Sequence, residues 1–356
     1  MQPKQPNIKS PNLKIFLVTT TIHIPRVLTR YRSLDHDMNM IVIGDKKTPE
    51  RETRDFVHAL GNATYLSPED QEKLRYKSSA LIGWNSIQRR NIGFLEALKH
   101  GADIIISVDD DNIPMDKHYI EQFTSLLTNP YHGLSLTSPS GWVNIGEFLK
   151  PKIYHRGFPY EFRHKNLEYS LLPVANAHIG VAAGLWLGDP DIDAMERITN
   201  KPMSYETTDI AARGIVMSPD TLSPFNSQNT AYIRELAPLF MMLTGVGRYD
   251  DIWSSYIMQR VMKTTGHVIH FGPPFVWQER NAQSLWKNLH DELYGMEHTL
   301  QFCTDIAAIS IPHDATVIEK LSYLYTNLKN KPYLPPILFD IADAWIHDLS
   351  TVLKHK

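Results

Sequence analysis

"IIISVDDDNIP", residues 104–114, carries an uninterrupted apolar run straight into three aspartates. Such a run is the pattern of a strand buried on both faces, as in the middle of a parallel sheet. Asp109, Asp110 and Asp111 then fall at its carboxyl end, where they repel one another with no basic residue between them. A divalent cation would explain the cluster, and so would an acidic surface turn. In extended backbone, side chains two apart point the same way, so Asp109 and Asp111 are expected to converge while Asp110 faces the other side.

Upstream, "KIFLVTTTIHI" (14–24) reads as a strand, "PRVLTRYRSLD" (25–35) as a helix and "MNMIVIGDKK" (38–47) as a second strand ending at Gly44-Asp45. Strand, helix, strand is a βαβ unit with parallel pairing. "SIQRRNIGFLEALKHGAD" (86–103) sets Ile87, Ile92, Leu95 and Leu98 near one helical face, with Gly101 as its stop. "MDKHYIEQFTSLLTN" (115–129) is helical again, with Asp116 near its start. The alternation predicts an α/β chain: a doubly wound, mostly parallel sheet with helices on both faces. Such sheets bind ligands outside the carboxyl ends of their strands, where Asp45 and Asp109–Asp111 both fall.

Residues 130–280 are rich in proline, glycine and aromatics. Strand candidates there are "VAAGLWLG" (181–188), "TAYIREL" (230–236) and "HVIHFG" (267–272), with one clear helix, "DDIWSSYIMQRVMKTTG" (250–266). Two helices are expected near 316–329 and 335–353. In the second, Leu338, Ile341, Ala342, Trp345, Leu349 and Val352 form an apolar stripe for the core or for a homo-oligomer contact. The expected organisation is a loose, polar tail over 1–13, a large domain over 14–300 and a C-terminal helical segment over 301–356.

A net charge of −3 disfavours charge-driven nucleic-acid binding. The single cysteine, Cys303, excludes an internal disulfide or a cysteine-held zinc and suits a reducing cytoplasm. The longest apolar runs fall short of the roughly 20 residues of a membrane span.

Three further stretches concentrate chemistry. "YHRGFPYEFRHK" (154–165) gathers His155, Arg156, Arg163, His164 and Lys165, a diphosphate clamp or a solvated basic loop. "GVGRYDDIWSSY" (245–256) puts Asp250 and Asp251 at a helix start, as an N-cap or as carboxylates at an active-site rim, with Arg248 beside them for phosphate. "FGPPFVWQERN" (271–281) reads as a rigid aromatic loop.

Together, "SVDDD" (107–111), "RGFPYEFR" (156–163), "GLWLGDPDIDA" (184–194), "TLSPFNSQNTAYIREL" (221–236), "GRYDDIWSSY" (247–256), "GPPFVWQERN" (272–281) and "DIADAWIHDL" (340–349) resemble, in order, the reversibly glycosylated polypeptides. This is the UDP-arabinopyranose mutase family of plants, and the likeness covers roughly residues 13–353. It implies a GT-A-like fold with C-terminal helices, and a UDP-sugar as substrate. Asp109–Asp111 match the family's triple aspartate for divalent metal and UDP, with Asp109 and Asp111 on Mn2+ or Mg2+ and Asp110 on the nucleotide sugar. Arg156 matches the arginine that becomes reversibly glycosylated, and Arg163 a second arginine of that segment. Asp250 and Asp251 match an acidic pair with a catalytic role; Arg248 and Asp45 join the nucleotide-sugar contacts. Two departures stand out. Gln278 replaces a histidine expected to complete the metal site, with His270 a possible substitute, and the N-terminal third differs most.

Three functions compete: a metal-dependent UDP-sugar mutase with self-glycosylation on arginine, a glycosyltransferase serving a separate glycan, lipid or protein acceptor, and a non-catalytic nucleotide-sugar-binding subunit.

Overall fold

The computed structural model describes residues 13–280 and 283–354, so the expected tail, apart from Leu13, lies outside the described residues. The amino-terminal block holds strands β1 (Ile15–Thr20), β2 (Asn39–Ile43), β3 (Ala63–Leu66) and β4 (Ile104–Val108). After β4 come β5 (Asn112–Pro114), β6 (Tyr131–Thr137), β7 (Leu149–Lys150), β8 (Ser170–Gly188), β9 (Glu206–Thr207), β10 (Ile215–Met217), β11 (Asn229–Ile233) and β12 (His267–Gln278). Ten of them form one sheet in the order β3-β2-β1-β4-β11-β8-β6-β10-β12-β5, while β7 and β9 pair apart.

β3, β2, β1 and β4 are parallel neighbours throughout. All five residues of β4 are buried, as its continuous apolar run predicts. Beyond β4 the directions mix: β11 lies antiparallel between β4 and β8, and β8 runs parallel to β12. β8 also pairs with β6, and β6 reaches β12 through β10, so these four strands close on themselves. The sequence reading recovers only the last residues of β8. Its first half is largely exposed and lacks a continuous apolar run, so composition does not mark it as a strand.

The helices are α1 (Leu28–Leu34), α2 (Glu50–Ala59), α3 (Pro68–Lys73), α4 (Lys77–Ile82), α5 (Arg90–Lys99), α6 (Tyr119–Thr128), α7 (Ala194–Thr199), α8 (Asp209–Arg213), α9 (Asp250–Met262), α10 (Leu285–Ala308), α11 (Val317–Leu328) and α12 (Pro336–Val352). α5 packs on β1 and β2, and α6 on β8 and β12. α10 runs unbroken through residue 300, so the boundary expected there falls inside one helix. At its interior Gly295 a Cβ would meet the Tyr249 ring at 2.0 Å. The glycine is present for close packing.

The stripe Leu338, Ile341, Ala342, Trp345, Leu349 and Val352 of α12 is buried inside this chain, so it is not free for an oligomer contact. α12 lies against α4 and α5. Asp348 accepts the Lys77 and Ser78 backbone N–H groups at 3.0 and 2.8 Å, closing the amino end of α4. Among the described residues no helix is long and apolar enough to cross a membrane.

Candidate active site

β1, β2 and β4 end at one rim, and the chain beyond each end lines a cleft of two adjoining compartments. One, of about 430 Å³, is lined by Asp109, Asp111, Arg156, Arg248, Asp250, Asp251 and Arg280, among others. The other, of about 440 Å³, holds Thr21, His23, Asp45 and Asp110. Asn85, Ser86, Ile87, Arg248 and Gln283 wall both. The aspartate turn splits as the two-residue alternation predicts, with Asp109 and Asp111 in the first compartment and Asp110 in the second, where it accepts the Thr21 hydroxyl. Burial pushes the Asp110 carboxyl up, against the pull of that hydroxyl.

Asp109 meets Arg90 at 2.6 Å while its own side chain stays 23% exposed to the cleft. Arg90 is wholly buried on α5 and also donates to the Ser227 carbonyl at 2.9 Å and the Thr20 hydroxyl at 3.1 Å. It ties the ends of β1 and β4 to the segment before β11. Asp45, expected on the nucleotide, spends its carboxylate on the Asn85, Ser86 and Lys46 backbone N–H groups at 2.7, 3.0 and 2.6 Å. Its hydrogen bonds thus hold the loop that walls both compartments.

The 154–165 cluster does not act as one clamp. His155 is buried, with Nδ1 2.6 Å from the Arg156 carbonyl, while His164 and Lys165 are exposed. Arg163 does not line the cleft: it pairs with Asp193 at 2.5 Å and lies 3.8 Å over the Tyr160 ring. Only Arg156 reaches the cleft. Its Nε and Nη2 take Asp191 at 2.9 and 3.0 Å, Nη2 also takes Asp251 at 3.1 Å, and Nη1 donates to the Arg248 carbonyl. Burial opposes its charge, but Asp191 and Asp251 outweigh that and raise the guanidinium pKa well above its usual value. Burial alone would raise Asp191 too; Arg156 foremost, then Arg280, hold it well below the usual carboxylate range.

Neither Asp250 nor Asp251 is the N-cap of α9, a position taken by Tyr249 without a side-chain bond. Asp251 accepts the Ser227 backbone N–H at 3.0 Å as well as Arg156. Asp250 accepts the Gln88 amide at 2.7 Å. Burial, reinforced by the charge of Asp251, pushes the Asp250 carboxyl up to about 7. Arg248 is 37% exposed and donates to Glu292 at 3.0 Å. Gly247 before it has φ +60°, and a Cβ there would strike the Asp291 carbonyl at 1.9 Å.

Gln278 pairs with Asn112 across β12 and β5, beside the aspartate turn, and is buried outside the cleft lining. His270 cannot stand in for a metal ligand: it sits eight residues earlier on β12, buried against Tyr131 and Gly214. Among the described residues no three His, Cys, Asp or Glu side chains are grouped to hold a metal. Two carboxylates, Asp109 and Asp111, do line one compartment, and two is the usual protein share when Mg2+ or Mn2+ takes its remaining ligands from phosphates and water. Five carboxylates but only three guanidinium groups line that compartment, a charge balance that suits a cation. The donor set therefore fits a hard divalent ion bound together with a phosphate ligand.

Arg90, Gln88, Asp191 and Arg280 escaped the sequence reading. Asp191 and Arg280 lie inside stretches that carried the resemblance; nothing in the sequence marked them from their neighbours.

A family model described as "Reversibly glycosylated polypeptide" matches residues 8–346. A probable UDP-arabinopyranose mutase 1 of Pisum sativum is 23% identical over 355 residues, covering 96% of this chain and 91% of that protein. UDP-arabinopyranose mutase 1 of Oryza sativa subsp. japonica is 22% identical, covering 97% and 91%. Among solved structures, a Pyrobaculum calidifontis mannosyltransferase in complex with GDP-Man and Mn2+ is 14% identical over 99% of this chain and 91% of that one, at a TM-score of 0.35.

Proposed function

The chain belongs to the reversibly glycosylated polypeptide family, and from that premise we propose that it is a metal-dependent UDP-sugar mutase. The carrying observation is convergence. Asp109 and Asp111, Arg156, Arg248, and Asp250 with Asp251 come from separate stretches of the chain and meet in one compartment at the carboxyl rim of the parallel strands. The sugar diphosphate is assigned to that compartment, and the nucleoside to the one beside it at the ends of β1 and β2.

Asp109 and Asp111 would hold Mn2+ or Mg2+, which when bound would stabilise the diphosphate as a leaving group. In ring contraction the bond from the anomeric carbon to UDP breaks as the sugar's own 4-hydroxyl bonds that carbon and gives up its proton. UDP then bonds the carbon again as the former ring oxygen leaves it and takes a proton, and expansion runs the same steps in reverse. Asp250 is suited to that exchange, because its raised pKa leaves both protonation states accessible near neutrality. Arg156 is read as a fixed positive charge. A guanidinium held by two carboxylates retains its proton and lacks the free lone pair a nucleophile needs.

The test is incubation of the protein with Mn2+ and a panel of UDP-pentoses and UDP-hexoses, followed by chromatography of the nucleotide sugars and intact mass. A ring isomer without a lasting mass gain is expected. Absence of any ring isomer would overturn the mutase reading. A stable one-sugar mass gain that vanishes in Arg156→Ala would instead make Arg156 the self-glycosylation site and refute its role as a charge anchor.

A further inference from the structure

We infer that Arg280 is the side chain that receives the substrate's diphosphate, an assignment that rests on the nucleotide-sugar reading of the cleft. Four arginines surround the acidic compartment, and they differ in how fully their N–H groups are used. Arg90 has its Nε buried without a hydrogen-bond partner, but both its Nη1 and Nη2 are engaged, by Asp109, Ser227, Ser107 and Thr20. Arg156 has bonds on Nε, Nη1 and Nη2. Arg248 is half-exposed and reaches Glu292.

Arg280 is different. Its side chain is only 9% exposed, yet it lines the cleft. Nη2 makes two long bonds, to the Pro190 carbonyl at 3.2 Å and Gln278 Oε1 at 3.3 Å. Nε is buried without a hydrogen-bond partner, and among the described residues no hydrogen bond engages Nη1. The nearest carboxylates stand off at 3.7 Å for Asp189 and 3.6 Å for Asp191. Both already serve other cations: Asp189 bonds Arg197, and Asp191 holds Arg156 in a two-point pair.

A buried guanidinium with idle donors is costly, because those N–H groups have left water without gaining partners. Burial accordingly lowers its pKa, with Asp191 opposing. An anion in the cleft removes the deficit. A phosphate offers oxygens in the planar geometry a guanidinium matches, and charge-assisted bonds of this type are the strong ones. Gln278 also gains a purpose: its Oε1 braces Arg280 where a histidine was expected to face a metal.

The experiment is calorimetric titration of the full chain, Arg280→Gln and Arg280→Lys with UDP, inorganic pyrophosphate and uridine at fixed Mn2+ and salt. R280Q is expected to weaken UDP and pyrophosphate by about tenfold or more, the effect of losing a charged hydrogen bond, and to leave uridine unchanged. R280K is expected to fall between, since a lysine keeps the charge but not the fork. R280Q binding pyrophosphate as tightly as the wild type would overturn the assignment and leave the nucleotide-sugar reading intact. Equal loss of uridine would make Arg280 a structural residue and overturn it too. If R280Q does not fold, R280K decides: pyrophosphate affinity equal to the wild type's sinks the assignment. A wild-type protein that binds neither UDP nor pyrophosphate removes both readings.

Discussion

Asp250 is the residue whose chemistry depends most on its surroundings. Its ordinary pKa of 3.8 would leave it ionised throughout the neutral range, but burial and the adjacent Asp251 bring it to about 7. Asp250→Asn is expected to lower turnover by about 10²–10⁴ and to erase the limb of the pH–rate profile that this carboxyl produces near neutrality. A profile unchanged in shape would dismiss Asp250 as the proton-transfer group. The sign for stability follows from the same shift. The folded state binds the Asp250 proton more tightly than the unfolded chain, so stability is full below the ordinary carboxylate pKa and declines as pH rises toward 7. Asp191 acts oppositely: its pKa is depressed, so the stability it adds is lost as pH falls.

Among the elements, α10 sets the site from outside. Its Glu292 receives Arg248 and the Ala194 backbone N–H, and its Asp291 carbonyl crowds Gly247. Gly295 lets the same helix approach Tyr249, which precedes the Asp250-Asp251 pair. Gly295→Ala pits two magnitudes against each other. Helix propensity favours alanine by about 1 kcal/mol, whereas forcing a methyl into a packed ring costs about 1–3 kcal/mol. A contact of 2.0 Å to a buried aromatic ring leaves the second term in control, so a lower midpoint in urea and reduced turnover are expected. A midpoint equal to or above the wild type's would show that α10 yields without disturbing the site.

At the scale of the whole molecule, metal and nucleotide should act as one ligand, because the two aspartates leave most of the coordination shell to phosphate and water. The UDP–Mn2+ complex, acting as one ligand at about 100 times its dissociation constant, should stabilise the fold by about 2.7 kcal/mol, read as a rise in thermal midpoint. Asp109→Asn and Asp111→Asn should each abolish the Mn2+-dependent part of that rise. Its survival in both variants would place the metal elsewhere. Because β1, β2 and β4 share one rim, the segment following each strand reaches the same cleft.

Local pattern in the sequence was enough for the parallel block and for the acidic end of β4. A strand buried on both faces needs a continuous apolar run, and charges cannot continue into that core, so the aspartates mark its carboxyl end. The stripe of α12 was equally legible, though whether it met the core or a second copy was not: only the fold brings α4 and α5 against it. Tertiary structure alone decided the partners. Arg156 and Arg163 sit in one short stretch, yet one lines the cleft and the other turns to Asp193 behind it. Arg90 and Arg280 carry no local mark because their roles come from carboxylates distant in sequence or from donors left unmet. Periodicity records which face of an element is buried. It does not record which buried charge will lie opposite another, since that is fixed only when strands and helices from across the chain pack together.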